Sequence, residues 1–301
     1  MTTVPPSSAR RRGDEYVVTD DEVRRFREDG FVHLPGVLDE DEVRSLEATY
    51  DRFLRREIAV PGKDYCDMTG DYDRPVDQYA IVNVMLPRVY YPAWQGNIYE
   101  RRTASIARQL CGDGMAIDYD QLLAKRPFKT DAVFHWHQDL AYWPITHDLR
   151  TATCWLAVDA STRENGCMRF VPGSHLEPTL RTHRPLLDDR GKSHTLVADV
   201  DEAKDRIAWA EIARGDITVH NERVAHGSGG NSTAGWRRAY IVAFRARETI
   251  AQERRRGFTH SHNDAGAALE GVAGLSGRDQ KGAGRGPLLD FPALGDRKSK
   301  G

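Results

Sequence analysis

Cysteine is scarce in this sequence. Four occur in 301 residues, Cys66, Cys111, Cys154 and Cys167, with no C-x-x-C pair among them. Such spacing excludes a disulfide framework and implies reduced thiols. Long apolar runs are missing as well. No stretch approaches the roughly 18 residues a transmembrane helix needs, and the opening "MTTVPPSSARRRGDEY" has no apolar h-region. The expectation is a soluble, cytoplasmic protein with no membrane partner. Nor is there an excess of one charge: 43 Lys and Arg against 45 Asp and Glu leave a net charge of −2. That balance excludes the global basic field of a nucleic-acid binder. The short basic runs Arg10-Arg11-Arg12 and Arg254-Arg255-Arg256 read as solvated surface or tail, and no internal repeat is present.

The remaining composition, 40% hydrophobic and 29% charged, is that of a globular protein. Residues 1–17, rich in Pro, Ser and Arg, are expected to be a disordered tail. Residues 265–301, "AGAALEGVAGLSGRDQKGAGRG" and beyond, have the low hydrophobicity of a flexible one. Between them, 18–264 is expected to form a single domain. Thr19 can cap a helix in "DDEVRRFREDG" that ends at Gly30. "FVHLPGVL" then reads as a strand, and "DEDEVRSLEATYDRFLRREI" as an amphipathic helix with Val43, Leu46 and Phe53 on one side. Residues 60–90 show no periodicity and suggest a long loop over a site. A helix near 96–111 precedes the alternating "MAIDYDQLLAKRPF". From there to about 247 the pattern is β-type: "TATCWLAVDA", "CMRFVPGSH", "GDITVHNE" and "RRAYIVAFRAR" are separated by turn residues. Short strands without intervening helices indicate an antiparallel sandwich or barrel. They are interrupted by a charged, partly helical insertion at 177–212.

In "VFHWHQDLAYWP", His135, His137 and Asp139 alternate. On a strand all three project from one face, a pattern suited to holding a metal. A third metal ligand must come from elsewhere in the sheet, with His175, His183, His194, His220 and His226 as candidates. His226 opens the Gly/Ser-rich turn of "GDITVHNERVAHGSGGN", and Arg237 follows eleven residues later at the start of an apolar strand. A buried arginine requires an anionic partner, and its fork fits the two oxygens of a carboxylate. Arg238 beside it suits a protein acid. Two histidines and a carboxylate on one side of a metal leave open positions, the arrangement of non-haem Fe(II) oxygenases. Zinc competes for such ligands.

These segments together resemble the phytanoyl-CoA dioxygenase (PhyH)-like family of Fe(II)/2-oxoglutarate oxygenases, which includes natural-product tailoring enzymes. The resemblance runs from about Val18 to Arg247 through "EVRRFREDGFVHLPGVL", "DQLLAKRPF", "WHQDLAYWP", "ENGCMRFVPGSH" and "GDITVHNERVAHGSGGN". It implies a mainly β fold with flanking helices, a double-stranded β-helix or cupin-like jelly roll. It implies His137, Asp139 and His226 as the catalytic iron ligands, and Arg237 holding the distal carboxylate of 2-oxoglutarate with Ser228 beside it. Gln121 and Lys125 would line the cosubstrate pocket. A His135/His137 pair remains geometrically open, with His135 otherwise facing substrate. Asn165, Gly166, Pro172, Gly173 and His175 read as turn and scaffold residues. With Asp139 present, the resemblance implies hydroxylation, desaturation or cyclisation of a small polar molecule such as a glycoside, consuming O2 and giving succinate and CO2, rather than halogenation. The competing readings are a zinc-dependent cupin-like hydrolase and a non-catalytic binding module. Either a monomer or a homodimer is compatible with the sequence. Tyr65, Asp67, Tyr72, Tyr79, Tyr90, Tyr91 and Trp94, with Arg181, Arg184 and Arg190, are expected either to overhang the site or to fill the core.

Overall fold

The first helix begins where its capping chemistry says it should. In the computed structural model, which describes residues 7–264, Asp20–Asp29 is preceded by Thr19, whose hydroxyl accepts from the Glu22 amide. The Glu22 carboxylate in turn accepts from the Thr19 amide at 2.8 Å, closing a capping box. Gly30 ends the helix at φ 82°, donating its amide to the Phe26 carbonyl. The tail before it is more ordered than composition suggests. Ser7–Arg10 makes a helical turn, and Arg11–Arg12 pairs with Glu15–Tyr16. Tyr16 is fully buried and donates to the Pro35 carbonyl at 2.6 Å, while Arg10 pairs with Glu22 at 2.5 Å. Burial of these two side chains supplies the ordering that a Pro/Ser/Arg-rich composition conceals. The expected C-terminal tail, 265–301, lies outside the described residues.

The chain is mainly β, a jelly roll of two antiparallel sheets. The larger has seven strands in the order Phe31–Leu34, Ile217–His220, Thr151–Ala157, Arg237–Ala246, Met115–Lys125, Ile81–Met85 and Tyr65–Asp67. The smaller has four: Ala208–Ala210, Met168–Phe170, His226–Ser228 and Phe134–His137. One face of the large sheet, with Leu122, Leu156, Val219 and Val242, packs against helices Glu40–Leu54 and Ile98–Cys111 through Val43, Leu46, Phe53, Ile106 and Leu110. Each such side chain contributes about 1.5–3 kcal/mol by burial. The other face of that sheet, one residue out of phase, looks toward the small sheet. Stability is thus concentrated on the helix side, and the inner side is free to carry polar chemistry.

Three elements differ from the sequence reading. Residues 60–90 are not a continuous loop, since Ile81–Met85 and Tyr65–Asp67 extend the large sheet, with Ile81 opposite Lys125 and Met85 opposite Gln121. All five residues of "IVNVM" are buried, so no alternation betrays the strand. The insertion at 177–212 contains no α-helix. His183–Pro185 pairs with Leu196–Ala198, and Ala208–Ala210 joins the small sheet. Its i,i+4 pair Arg181–Glu177 imitates a helix pattern, but Pro178 and Pro185 interrupt the stretch. Conversely, Arg247–Arg255 forms a helix that no cap announces. It is fastened by a buried ionic network in which Arg245 pairs with Glu222 and Glu253, and Arg254 and His260 reach Asp118 at 2.5 and 2.9 Å.

A second buried carboxylate has consequences for stability. Asp120 is 1% exposed beneath the helices. Burial, reinforced by Glu100 nearby, pushes its pKa up to about 8 against the opposing pull of Arg88. The folded state therefore holds a proton there that the unfolded chain loses near pH 4. The contribution of Asp120 to stability is therefore complete below about pH 4 and is lost as pH rises from about 4 to 8, by on the order of 2–4 kcal/mol. Asp120→Asn keeps an acceptor for the Arg88 amide, which contacts the Asp120 carboxylate at 3.2 Å, but removes the titration. Melting temperatures of wild type and variant should converge toward pH 4 and separate by pH 8, with the variant higher. Parallel curves would place the charge elsewhere.

Candidate active site

Between the two sheets lies a cavity of ≈ 630 Å³, its open mouth included. The large sheet contributes Gln121, Leu123, Thr153, Trp155 and Ile241, and the small sheet contributes Phe134, His137, Met168, His226 and Gly227. His137 and His226 are direct partners across neighbouring strands, and their ring centroids lie 4.1 Å apart. Register alone therefore sets the two imidazoles side by side. The pairing then shifts, so that Ser228 faces Phe134. His135 and Trp136 on one strand oppose the single residue Gly227 on the other, a bulge. Phe134 and His137 both reach the cavity as a result, and His135 does not line it. The expectation of a common face for His135, His137 and Asp139 fails at His135, because simple alternation does not survive a bulge. His135 contributes its carbonyl, which lies 2.8 Å from His137 Nδ1.

His226 Nδ1 is held likewise by the Val224 carbonyl at 3.0 Å. With both Nδ1 atoms donating to backbone, the Nε2 lone pairs point into the cavity, the tautomer a metal ligand requires. Asp139 begins the short 3₁₀ turn Asp139–Tyr142 and puts Oδ1 3.3 Å from His137 Nε2 and 3.5 Å from His226 Nε2. Ligand atoms of His137, Asp139 and His226 all lie within 4.8 Å of one another. Burial drives the His226 imidazole down, and His137 adds to the effect, so it stays neutral and able to ligate. Burial alone would raise Asp139, but His226, His137 and His220 together hold its carboxyl well below the usual range. The donor set of two neutral imidazoles and one carboxylate, without thiolate, fits Fe(II).

His220 is the site residue that sequence reasoning named only as an alternative ligand. Its Nε2 lies 3.3 Å from Asp139 Oδ2, so it occupies the carboxylate oxygen directed away from the histidine pair. The signal was present in "ITVH". Ile217 and Val219 pack on the helix side, so Thr218 and His220 must face inward. The other candidates are engaged elsewhere. His183 Nε2 accepts the Gln138 amide at 3.1 Å, His175 contacts the Arg27 carbonyl, and His194 sits at the cavity wall away from Asp139. Asp118, Glu253 and His260 also cluster closely, but Arg245 and Arg254 already supply their counter-charge.

Arg237 lies on the inward face of its strand, four residues before the cavity-lining Ile241, and is 2% exposed. Its Nε and Nη1 are buried without a hydrogen-bond partner. Its guanidinium lies 5.2 Å from the centre of the Trp155 ring. Burial lowers its pKa to about 10, which leaves it charged at neutral pH. Lys125, directly opposite in register, is also buried and donates to Ser228 Oγ at 2.7 Å and to the Gly229 carbonyl. Gln121 lines the cavity and donates to Asn83 at 2.7 Å. A buried guanidinium with the Lys125 amine beside it, whose pKa burial drives well below the ordinary lysine value, and no carboxylate bonded to either among the described residues, forms a subsite for an anion. Arg238, one residue on, faces the opposite side and is consumed by Asp159, Asp51 and Glu47. The scaffold readings hold as well. Asn165 bridges the Thr162 amide and the Ala160 carbonyl at 2.8 Å each. Gly166, at φ 84°, sits where a Cβ would lie 2.3 Å from the Gly229 carbonyl.

A jelly roll holding such a cluster beside an anion subsite has the architecture of the mononuclear non-haem iron oxygenases. The chain belongs to the phytanoyl-CoA dioxygenase (PhyH) family, whose profile matches residues 26–239. It is an Fe(II)- and 2-oxoglutarate-dependent dioxygenase. Mouse peroxisomal phytanoyl-CoA dioxygenase is 26% identical over 251 residues, covering 77% of this chain and 69% of that protein. The ectoine dioxygenase of Stutzerimonas stutzeri is 25% identical, covering 70% and 71% respectively. Among solved structures, EvdO2 from Micromonospora carbonacea var. aurantiaca, complexed with 2-oxoglutarate, is 29% identical with a TM-score of 0.61 over 76% of this chain and 91% of that one. The carbocyclase SnoK from nogalamycin biosynthesis is 25% identical with a TM-score of 0.58 over 76% and 84%. No helix among the described residues is long and apolar enough to cross a membrane.

Proposed function

We propose that residues 18–264 act as one catalytic unit that oxidises a small, ringed, polar metabolite such as a glycoside, by hydroxylation, desaturation or cyclisation. The observation that carries this is the pair of buried, unpartnered nitrogens of Arg237, together with the close cluster of His137, Asp139 and His226. In this reading those three side chains hold Fe(II). Arg237 takes the distal carboxylate of 2-oxoglutarate, with Ser228 positioned by Lys125, and Gln121 lies along the cosubstrate. When bound, iron and 2-oxoglutarate supply the activation of O2, with succinate and CO2 as coproducts. His220 restrains the free oxygen of Asp139, so the carboxylate presents one oxygen toward the metal position. The wall formed by Tyr119, Tyr142, Trp143, His194 and His262 excludes water and gives rings a surface on which to stack.

The natural-product assignment draws support from SnoK, described as a carbocyclase of nogalamycin biosynthesis. The test is anaerobic loading with Fe(II) and 2-oxoglutarate, followed by O2 and quantification of succinate with and without glycoside metabolites. Succinate should require Fe(II) and rise at least severalfold with a true substrate. Full turnover with Zn(II), or hydrolysis without O2 consumption, would overturn the reading.

A further inference from the structure

Behind the cavity-lining Tyr142 lies another arginine. Arg190 lies in the connection between His183–Pro185 and Leu196–Ala198. Its Nη1 is buried without a hydrogen-bond partner, and no carboxylate pairs with it among the described residues. The neighbouring arginines behave differently. Arg181 is held by Glu177 and Asp205, and the fully buried Arg245 by Glu222 and Glu253. Unlike these two, Arg190 has no protein acid among the described residues, a property it shares with Arg237.

What surrounds Arg190 leads toward the metal position. Its guanidinium lies 5.5 Å from the centre of the Tyr142 ring, and Tyr142 is edge-on to the ligand His137 at 5.9 Å. The Tyr142 oxygen accepts the Leu196 amide at 2.8 Å, which fixes that ring. His194 stacks on Tyr142 at 4.9 Å and on His262 at 3.8 Å, and both histidines line the cavity. Burial holds both imidazoles below their ordinary range, so they add polar edges and no charge. Tyr72 is edge-on to His262, and its hydroxyl is a second buried polar group without a partner. Its amide donates to the Lys192 carbonyl at 2.9 Å, tying the two covering segments together.

An unpaired guanidinium and an unpaired hydroxyl at the end of an aromatic wall are costly unless a ligand completes them. We infer that the substrate carries an oxyanion, a carboxylate or a phosphate, that seats on Arg190 with the Tyr72 hydroxyl donating beside it. Its ring then lies along His194 and His262 and reaches toward the metal position. This assignment rests on the oxygenase reading of the cavity and narrows its substrate class to acidic metabolites.

The test uses enzyme loaded with Fe(II) and 2-oxoglutarate under anaerobic conditions, so that Arg237 is occupied. Benzoate, phenyl phosphate and neutral phenyl glucoside are titrated by calorimetry. At least one anion should bind, and the tighter of the two identifies the oxyanion as carboxylate or phosphate. Arg190→Met should weaken that anion by at least about tenfold, Arg190→Lys by less, and Tyr72→Phe by about threefold. Iron and 2-oxoglutarate affinities should stay unchanged in all three variants. The inference is overturned if phenyl glucoside binds wild type as tightly as both anions. It is equally overturned if Arg190→Met and Tyr72→Phe bind the anion like wild type. Wild-type enzyme that fails to take up Fe(II) or 2-oxoglutarate would instead sink the oxygenase reading, a distinct result.

Discussion

His226→Ala is expected to yield a folded protein that no longer retains stoichiometric Fe(II) and forms no succinate. The imidazole makes one hydrogen bond, from Nδ1 to the Val224 carbonyl, so little tertiary structure depends on it. The strand pairing of His226 with His137 and Phe170 runs through the backbone and survives the substitution. Iron affinity should fall by more than the roughly 10–100-fold seen for groups that merely support a ligand. His137→Ala and Asp139→Ala should behave alike, whereas His135→Ala should keep both metal and turnover, because only the His135 carbonyl touches the site. Equilibrium dialysis against Fe(II) and a far-ultraviolet circular dichroism spectrum check the set. Iron retained by His137→Ala and lost by His135→Ala would reverse the ligand assignment.

Those contrasting residues mark how far the sequence could be read. The ligands His137, Asp139 and His226 were legible because H-x-D and the Gly/Ser turn place chemistry in short, local patterns. The helix caps at Thr19 and Gly30 were legible for the same reason. His135 was placed on the ligands' face with its role left open, because a bulge is a property of two strands, and one strand's alternation cannot reveal it. The aromatic stretch before residue 95 divides between the two expected places. Tyr79 and Trp94 are core, with Trp94 stacked on Tyr240 at 4.7 Å. Asp67 pairs with Arg74, and Tyr72 approaches the cavity wall through His262. His262 itself was invisible. It reaches the cavity only because the helix Arg247–Arg255 turns the chain back over it. Long-range placement of this kind comes from packing, and residue type alone is silent on it.

Arg237→Met is expected to raise the dissociation constant for 2-oxoglutarate well over tenfold, since loss of a charge-assisted pair in a buried site costs on the order of 2–5 kcal/mol. The same substitution should leave thermal stability of the cosubstrate-free protein unchanged or slightly higher. Its guanidinium has no hydrogen-bonded acid there, and an unpartnered buried cation opposes folding. Arg238→Met should do the opposite. That side chain joins Glu47 and Asp51 of the helix Glu40–Leu54 to Asp159 beyond the sheet, and removing it leaves three carboxylates facing one another. A loss of about 1–3 kcal/mol of stability is expected, with 2-oxoglutarate affinity unaltered. The two neighbours thus separate binding from folding, one residue apart on opposite faces of one strand. Calorimetric titration of 2-oxoglutarate into Fe(II)-loaded protein, alongside thermal melts, reads both quantities. If Arg237→Met melts lower yet binds 2-oxoglutarate normally, the arginine is structural, and the anion subsite must centre on Lys125.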